Sequence, residues 1–369
     1  MDKMFKRSIL GAAIATAAMV SASANAYTIG ESNDAQVEVY GVVSISAVDY
    51  GTDDGFTSED GSKKDEGWVL ENETRVGFRA AQAMTDSLEA FVQVESGWVL
   101  DEGADLGNRD TFVGMRGDSW GQVRFGRMLT PMYELVDWPY SASNMGTTFD
   151  RGWRSGERFQ FDRKSQQIRY DSASIADMLT FSLSYGKGSE KSSDSSFVGG
   201  KVSIAPVDML TLHAAFELGE DTVFASGSDA TFNKDGTLNE AGKQGSVGDT
   251  DAYFAGFELR PIDSLMFAAA YKVGEYDATN KGGFDYDKRE IDAFSLQANY
   301  YMGDALFRLG YANQTGETDT KEDTTLDFET ITGEFGYSFN SVYTFLRIAE
   351  HSNDGEGDVM VRVGTEWYF

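Results

Sequence analysis

The 369 residues predict an all-β chain, sixteen strands closed into a transmembrane antiparallel β-barrel. Three observations predict it. Apolar and polar side chains alternate with a period of two in segment after segment, which is the pattern of strands wet on one face only. The connections between those segments alternate between short turns and long acidic stretches, as the two ends of a bacterial barrel require. The final strand, DVMVRVGTEWYF, sets Val359, Val361, Val363, Thr365, Trp367 and Phe369 on one face and Met360, Arg362, Gly364, Glu366 and Tyr368 on the other. Such a segment stands between lipid and water, and its aromatic end suits the interface.

Residues 1–26 read as a signal peptide. Lys3, Lys6 and Arg7 precede the apolar run Ile9 to Val20, and Ala24-Asn25-Ala26 is a small-residue cleavage site. That run is too short to span a bilayer as a helix. Cleavage would leave 27–369 as the barrel domain. The leader carries three basic residues against Asp2, a net +2, so the formal charge of −29 becomes −31 after its removal. Duplex nucleic acid is excluded as a partner by that sign. With 41% hydrophobic and 13% aromatic residues, 40 Gly and 4 Pro, the chain is foldable and rich in strand signals, and its charge belongs on wet surfaces. There is no Cys, so a closed ladder of backbone hydrogen bonds must supply what disulfides supply in other exported proteins. A mean hydropathy of −0.37 does not argue against a membrane barrel, whose apolar exterior and polar interior average out.

In order, the alternation predicts strands over 36–50, 68–83, 86–99, 109–117, 120–128, 164–173, 177–187, 196–205, 209–218, 251–261, 264–276, 289–302, 304–315, 325–339, 341–350 and 358–369. Representative faces are Val76, Phe78 and Ala80 against Arg75, Gly77 and Arg79, and Leu296, Ala298 and Tyr300 against Ser295, Gln297 and Asn299. Short turns fall at Thr85-Asp86, Asp118-Ser119, Pro206-Val207, Ile262-Asp263, Gly303 and Asn340, with Pro206 and Pro261 where a missing N–H costs little. The long stretches 50–67, 219–250 and 276–290 read as solvated loops; none keeps the spacing of a calcium loop, and neither metal nor cofactor is expected. Tyr50, Trp68, Trp98, Trp120, Tyr185, Tyr301 and Trp367 stand near strand ends, as interface girdles require.

Taken in order, QVEVYGVV, ENETRVGFRAAQAMTDSLEAFVQVE, RDTFVGMRGDSWGQVRFGRMLTP, QQIRYDS followed by LTFSLSYG, and the terminal Phe369 resemble the Gram-negative general porins over essentially all of residues 27–369. That resemblance implies an outer-membrane general diffusion porin, usually a homotrimer. Its third extracellular loop folds inward to narrow a water-filled bore for small hydrophilic solutes and ions, without catalysis. It also implies membrane lipid and lipopolysaccharide as partners, and a constriction in which wall arginines face loop acids.

Carried over position by position, the basic wall is Arg75 in TRVGF, Arg109 in RDTFVG and Arg169 in QIRYDS, extended by Arg79 and Arg124. Alternation agrees: an arginine on the lipid face near the midplane costs about 2–4 kcal/mol, so these side chains belong in the lumen. The plainer reading gives each arginine only a neighbouring carboxylate to neutralise. Residues 129–163 match the third loop, with Thr130 capping a short helix that has Pro131 at its first position and carries Met132 to Val136. Its candidate acids are Glu134, Asp137 and Asp150, with Glu157 further on. The Gly-Gly-Asp tip known from enterobacterial relatives is replaced by SASNMGTTFDRGWRSGERF, whose Arg151, Arg154 and Arg158 are expected to fold back onto wall carboxylates.

Two other functions compete. An enzymatic barrel would need a base, and only His213 and His351 exist, with no serine nucleophile context around His213. A sealed structural barrel is disfavoured because sixteen strands leave an aqueous channel and lumen positions such as Gly77, Thr180, Ser182, Ser184, Ala270 and Gly364 are small. A substrate-specific channel, for example a sugar-selective one, would share the fold and differ only in loop chemistry.

Overall fold

A computed structural model describes residues 27–32, 35–51, 67–97, 105–141, 148–149, 163–188, 194–225, 231–232, 238–240, 246–280, 288–318, 326–353 and 356–369. The proposed signal peptide lies outside them.

Sixteen barrel strands occur among the described residues: β1 (Ala35–Asp49), β2 (Trp68–Asn72 and Arg75–Thr85), β3 (Leu88–Gly97), β4 (Thr111–Gly117), β5 (Gly121–Leu129), β6 (Arg163–Ser172), β7 (Leu179–Gly186) and β8 (Ser196–Val207) form one half. The other half is β9 (Leu210–Ala225), β10 (Ser246–Ile262), β11 (Leu265–Asn280), β12 (Lys288–Met302), β13 (Ala305–Thr318), β14 (Leu326–Phe339), β15 (Val342–Asn353) and β16 (Glu356–Tyr368). Each pairs antiparallel with the next. β16 then returns to β1, from Val42↔Tyr368 to Asp49↔Val361, and closes the barrel. Every expected strand is present.

The differences have local causes. β9, β10 and β11 run past their expected ends at 218, 251 and 276, because ladder pairing such as Thr222↔Gly248 and Asp249↔Asp277 continues where apolar alternation stops. Hydropathy marks the extent of lipid, while backbone pairing needs no lipid. β2 is broken at Glu73-Thr74: Asn72 Oδ1 accepts the Thr74 N–H at 3.0 Å, and Thr74 Oγ1 accepts the Ser44 N–H at 3.2 Å. An unforeseen short strand, Tyr27–Ser32, turns back along Ala35–Val39 of β1. It covers the part of the β1 edge that extends beyond the Gly41–Phe369 backbone pair, where β16 has ended and free N–H and C=O groups would otherwise remain.

The two faces are distinct. Outward Leu309, Ile331 and Trp367 are 69, 56 and 59% exposed, while inward Arg308, Thr332 and Gln314 are 6, 1 and 3% exposed. Oily side chains held in contact with the surroundings make sense only where those surroundings are hydrocarbon. Trp68 and Tyr185 also project outward near strand ends. Tyr50 and Tyr301 depart from the girdle expectation. Tyr50 turns inward to donate to Glu71, and Tyr301 packs on an inner apolar cluster, because each falls on the lumen parity of its strand. Trp120 is half-buried at the β4–β5 turn, and Trp98 lies outside the described residues.

After β5 the chain forms the expected helix, α1 (Pro131–Asp137). Thr130 accepts the Tyr133 N–H on its side chain at 3.4 Å, and Pro131, with no N–H to lose, starts the turn. Its apolar stripe of Met132, Leu135 and Val136, with Tyr140 and Phe149 beyond it, packs on inward-facing Ala215, Ala252, Phe254, Ala268, Ala270 and Ala293. Small wall residues there give the segment room. One side of the barrel's inner surface is therefore apolar and occupied.

Candidate channel constriction

Opposite that apolar side, β1 to β6 and the chain entering β4 present arginines to the interior, most of them paired with a carboxylate. Arg79 pairs with Glu38 across the β1–β2 ladder. Arg109 Nε donates to Glu95 Oε1 at 2.6 Å, and Tyr40 Oη donates to the other oxygen of Glu95 at 3.0 Å. Arg163 pairs with Asp110. Arg75 has neither an ion pair nor a side-chain hydrogen bond among the described residues, and its charge is felt by Glu95, Glu73 and Asp137.

Arg124 and Arg169 stand directly opposite each other in the β5–β6 register. Two guanidinium groups at that spacing repel, and Asp171 resolves the conflict. It accepts from Arg124 Nη2 at 2.7 Å, from Arg169 Nε at 2.8 Å and from Ser182 Oγ at 2.7 Å. The remaining Arg169 donors reach α1: Nη1 and Nη2 each meet one Glu134 oxygen at 2.7 Å. Lys201 of β8 joins the same carboxylate. Burial works against ionisation of Glu134, but Arg169, Lys201 and Arg124 outweigh it and hold its pKa down at about 2. Asp137, one turn later, differs. Burial raises its carboxyl above the ordinary range despite the pull of Arg75, Arg109 and Arg163.

The five wall arginines and two of the three loop acids thus fall into three places. Arg75, Arg109 and Asp137 form one electrostatic group; Arg124, Arg169 and Glu134 form a second. Arg79 sits four residues along β2 from Arg75, roughly 13 Å toward the β2–β3 turn at 3.3 Å per residue. Arg169 is only 1% exposed, so it fastens the helix to the wall more than it meets water. Asp150, Arg151, Arg154, Glu157 and Arg158 lie outside the described residues.

A second basic group escaped the sequence reading. Arg308 Nη1 and Arg347 Nε converge on Glu334 at 3.1 and 3.0 Å, and Arg362 pairs with Glu71 at 2.6 Å. The signal was present, since Arg308 lies between Phe307 and Leu309 and Arg347 between Leu346 and Ile348, the same alternation that identified Arg75. Trp138, at the end of α1, was also missed. It is half-buried, and the Arg308 guanidinium carbon lies over its ring, 4.8 Å from the centroid.

His213 does have a serine neighbour, contrary to expectation. Ser203 Oγ is 2.8 Å from His213 Nδ1, and Glu258 is 3.3 Å from Nε2. Ser203 and His213 are 3 and 4% exposed, and the Tyr140 ring stands edge-on to the imidazole at 6.3 Å. A nucleophile so covered meets no solute, so the row braces the wall beneath Tyr140.

Comparison with known proteins agrees with this architecture. The family model described as Gram-negative porin matches residues 12–356. The chain is 36% identical over 389 residues, 100% of both chains, to a Vibrio furnissii protein described as chitoporin. It is 24% identical, over 77% of its length and 79% of the relative's, to the major outer membrane protein P.IB of Neisseria sicca. Among solved structures, a loop-deletion form of OmpT from Vibrio cholerae superposes with a TM-score of 0.72 at 18% identity, over 91% of this chain and 100% of that one. The anion-selective porin from Comamonas acidovorans gives a TM-score of 0.63 at 15% identity, over 91 and 100%. A closed sixteen-stranded wall, oily outside and charged inside, thus coincides with full-length likeness to known porins: the chain belongs to the Gram-negative porin family and is a channel of the outer membrane.

Proposed function

We propose that this porin passes short chitin-derived oligosaccharides, passively and without catalysis. The observation that carries this reading is the full-length likeness to a chitoporin. The geometry is compatible with it. Trp138 offers an aromatic face of the kind that sugar rings stack on, beside hydrogen-bonding arginines and carboxylates, inside a wide wet barrel. In this reading, the segment from Thr130 through α1 to Ser141 narrows the passage, and Arg75 and Arg109 face Asp137 across it, giving a transverse field where screening by water is weakest.

Unselective diffusion of small hydrophilic solutes and ions is the second reading. It is favoured by the many charged groups of the inner wall, which act on any ion or polar solute that passes. Planar-bilayer recordings with chitohexaose and maltohexaose separate the two. Concentration-dependent block by chitohexaose alone supports the first, and equal, weak effects of both support the second. We further propose a homotrimer in contact with lipopolysaccharide, supported by the trimer form described for OmpT of Vibrio cholerae and by the apolar exterior.

A further inference from the structure

Trp138 is held by a chain of contacts that ends on a residue facing no solute. Glu334 of β14 has a side chain only 1% exposed. It accepts hydrogen bonds from Arg308 Nη1 at 3.1 Å, from Arg347 Nε at 3.0 Å and from the Tyr343 hydroxyl. An arginine has four freely rotating side-chain bonds, so a guanidinium stays over an indole ring only if something holds it in place. Here Glu334 fixes one edge of the Arg308 fork, and Asn299 Oδ1 accepts from its Nε at 3.1 Å.

The chain around Trp138 is held independently. Ser295 Oγ donates to the Tyr140 carbonyl at 2.6 Å, and the Trp138 N–H reaches the Glu134 carbonyl at 3.4 Å. The backbone is therefore anchored by β12 and α1, which leaves the indole ring as the part that Arg308 positions.

We infer that Glu334 is a specificity-determining positioning residue: through Arg308 it sets the Trp138 ring at the angle a passing sugar ring meets. This rests on the proposed sugar-passing function. Its physical content is separable, because the Glu334–Arg308–Trp138 order exists with or without a solute. Replacing Glu334 by Gln keeps the shape and removes the charge that orients two arginines. The indole then samples several orientations, and stacking weakens with no change in the size of the barrel.

The experiment uses the full-length protein in bilayers and in detergent micelles. Chitohexaose block is measured for the parent, E334Q, W138A and the double variant. In micelles, the Trp138 fluorescence is taken as the difference between each protein and its W138F counterpart, with acrylamide as quencher. E334Q is expected to weaken block about five-fold, to leave block unchanged in the W138A background, and to raise acrylamide quenching of Trp138. R308K, which keeps the charge but loses the flat fork, is expected to act like E334Q. Unchanged Trp138 quenching in E334Q overturns the inference whatever the sugar does. So does an equal loss of block with and without Trp138, since the effect would then be of charge alone. If chitohexaose fails to block the parent, the sugar reading falls, and the quenching arm alone decides whether Glu334 orders the ring.

Discussion

Arg169 and Glu134 meet at two points, each guanidinium Nη on its own carboxylate oxygen at 2.7 Å, and thereby join strand β6 of the wall to the first turn of the lumenal helix. This pair fixes the loop more firmly than surface ion pairs do, because Arg169 is buried and its Nε is also held by Asp171. Substituting Arg169→Ala strands Glu134 and Asp171 without their main counter-charge. Breaking a buried pair in this way costs on the order of 3 kcal/mol. The expected outcome is a folded barrel with noisier open-channel current and faster proteolysis of the segment after Leu129, read by recordings and limited digestion.

Acid should act on the same pair in a defined window. The Glu134 pKa is lowered from 4.5 to about 2, so the stability it contributes is complete above about 4.5 and is lost as pH falls toward 2. Protease sensitivity of the segment should therefore rise between pH 4.5 and 2. Glu134→Gln should already be sensitive at pH 7 and show no further change over that window. A parent protein whose sensitivity is flat down to pH 2 would contradict the assignment.

Ion selectivity should follow the other electrostatic group. The formal charge of −29 favours cations, and the arginine wall opposes that locally. Removing Arg75 and Arg109 together, each to Ala, should raise single-channel conductance or shift the reversal potential in a salt gradient toward cations. If neither quantity moves, these two residues do not line the passage.

Asp137 supplies the converse. Its carboxyl is raised above the ordinary aspartate value of 3.8, so acidification neutralises it before it would an exposed aspartate. Selectivity should move toward anions as pH falls through that raised value, and Asp137→Asn should abolish this step. The measurement is reversal potential against pH.

Trp138→Ala should weaken chitohexaose block by roughly ten-fold, within the range of about 1–3 kcal/mol that aromatic stacking contributes to binding by alanine substitution of nucleic-acid contacts. Conductance in salt alone should change little, because the ring carries no charge. Block by maltohexaose serves as the comparison.

What the sequence by itself determined is the wall. Sixteen strands, their order and the face of each side chain follow from a period of two set against lipid and water, and a one-residue slip would turn every arginine into hydrocarbon. That logic put Arg75, Arg79, Arg124, Arg169 and Arg362 on the inner face, and it applies equally to Arg308 and Arg347, which were read past. The capped helix was legible too, because Thr130 and Pro131 act within one turn. Tertiary structure alone decided the partners. Alternation gives the face of Arg169 but not that Glu134, 35 residues earlier, would close on it, nor that Ser203 would meet His213 through strand register. The lumenal alanines of β9 to β13 looked like filler in a wet bore. They are the seat of Tyr140 and Phe149, and a contact between a loop and a wall far apart in the chain leaves no period in either.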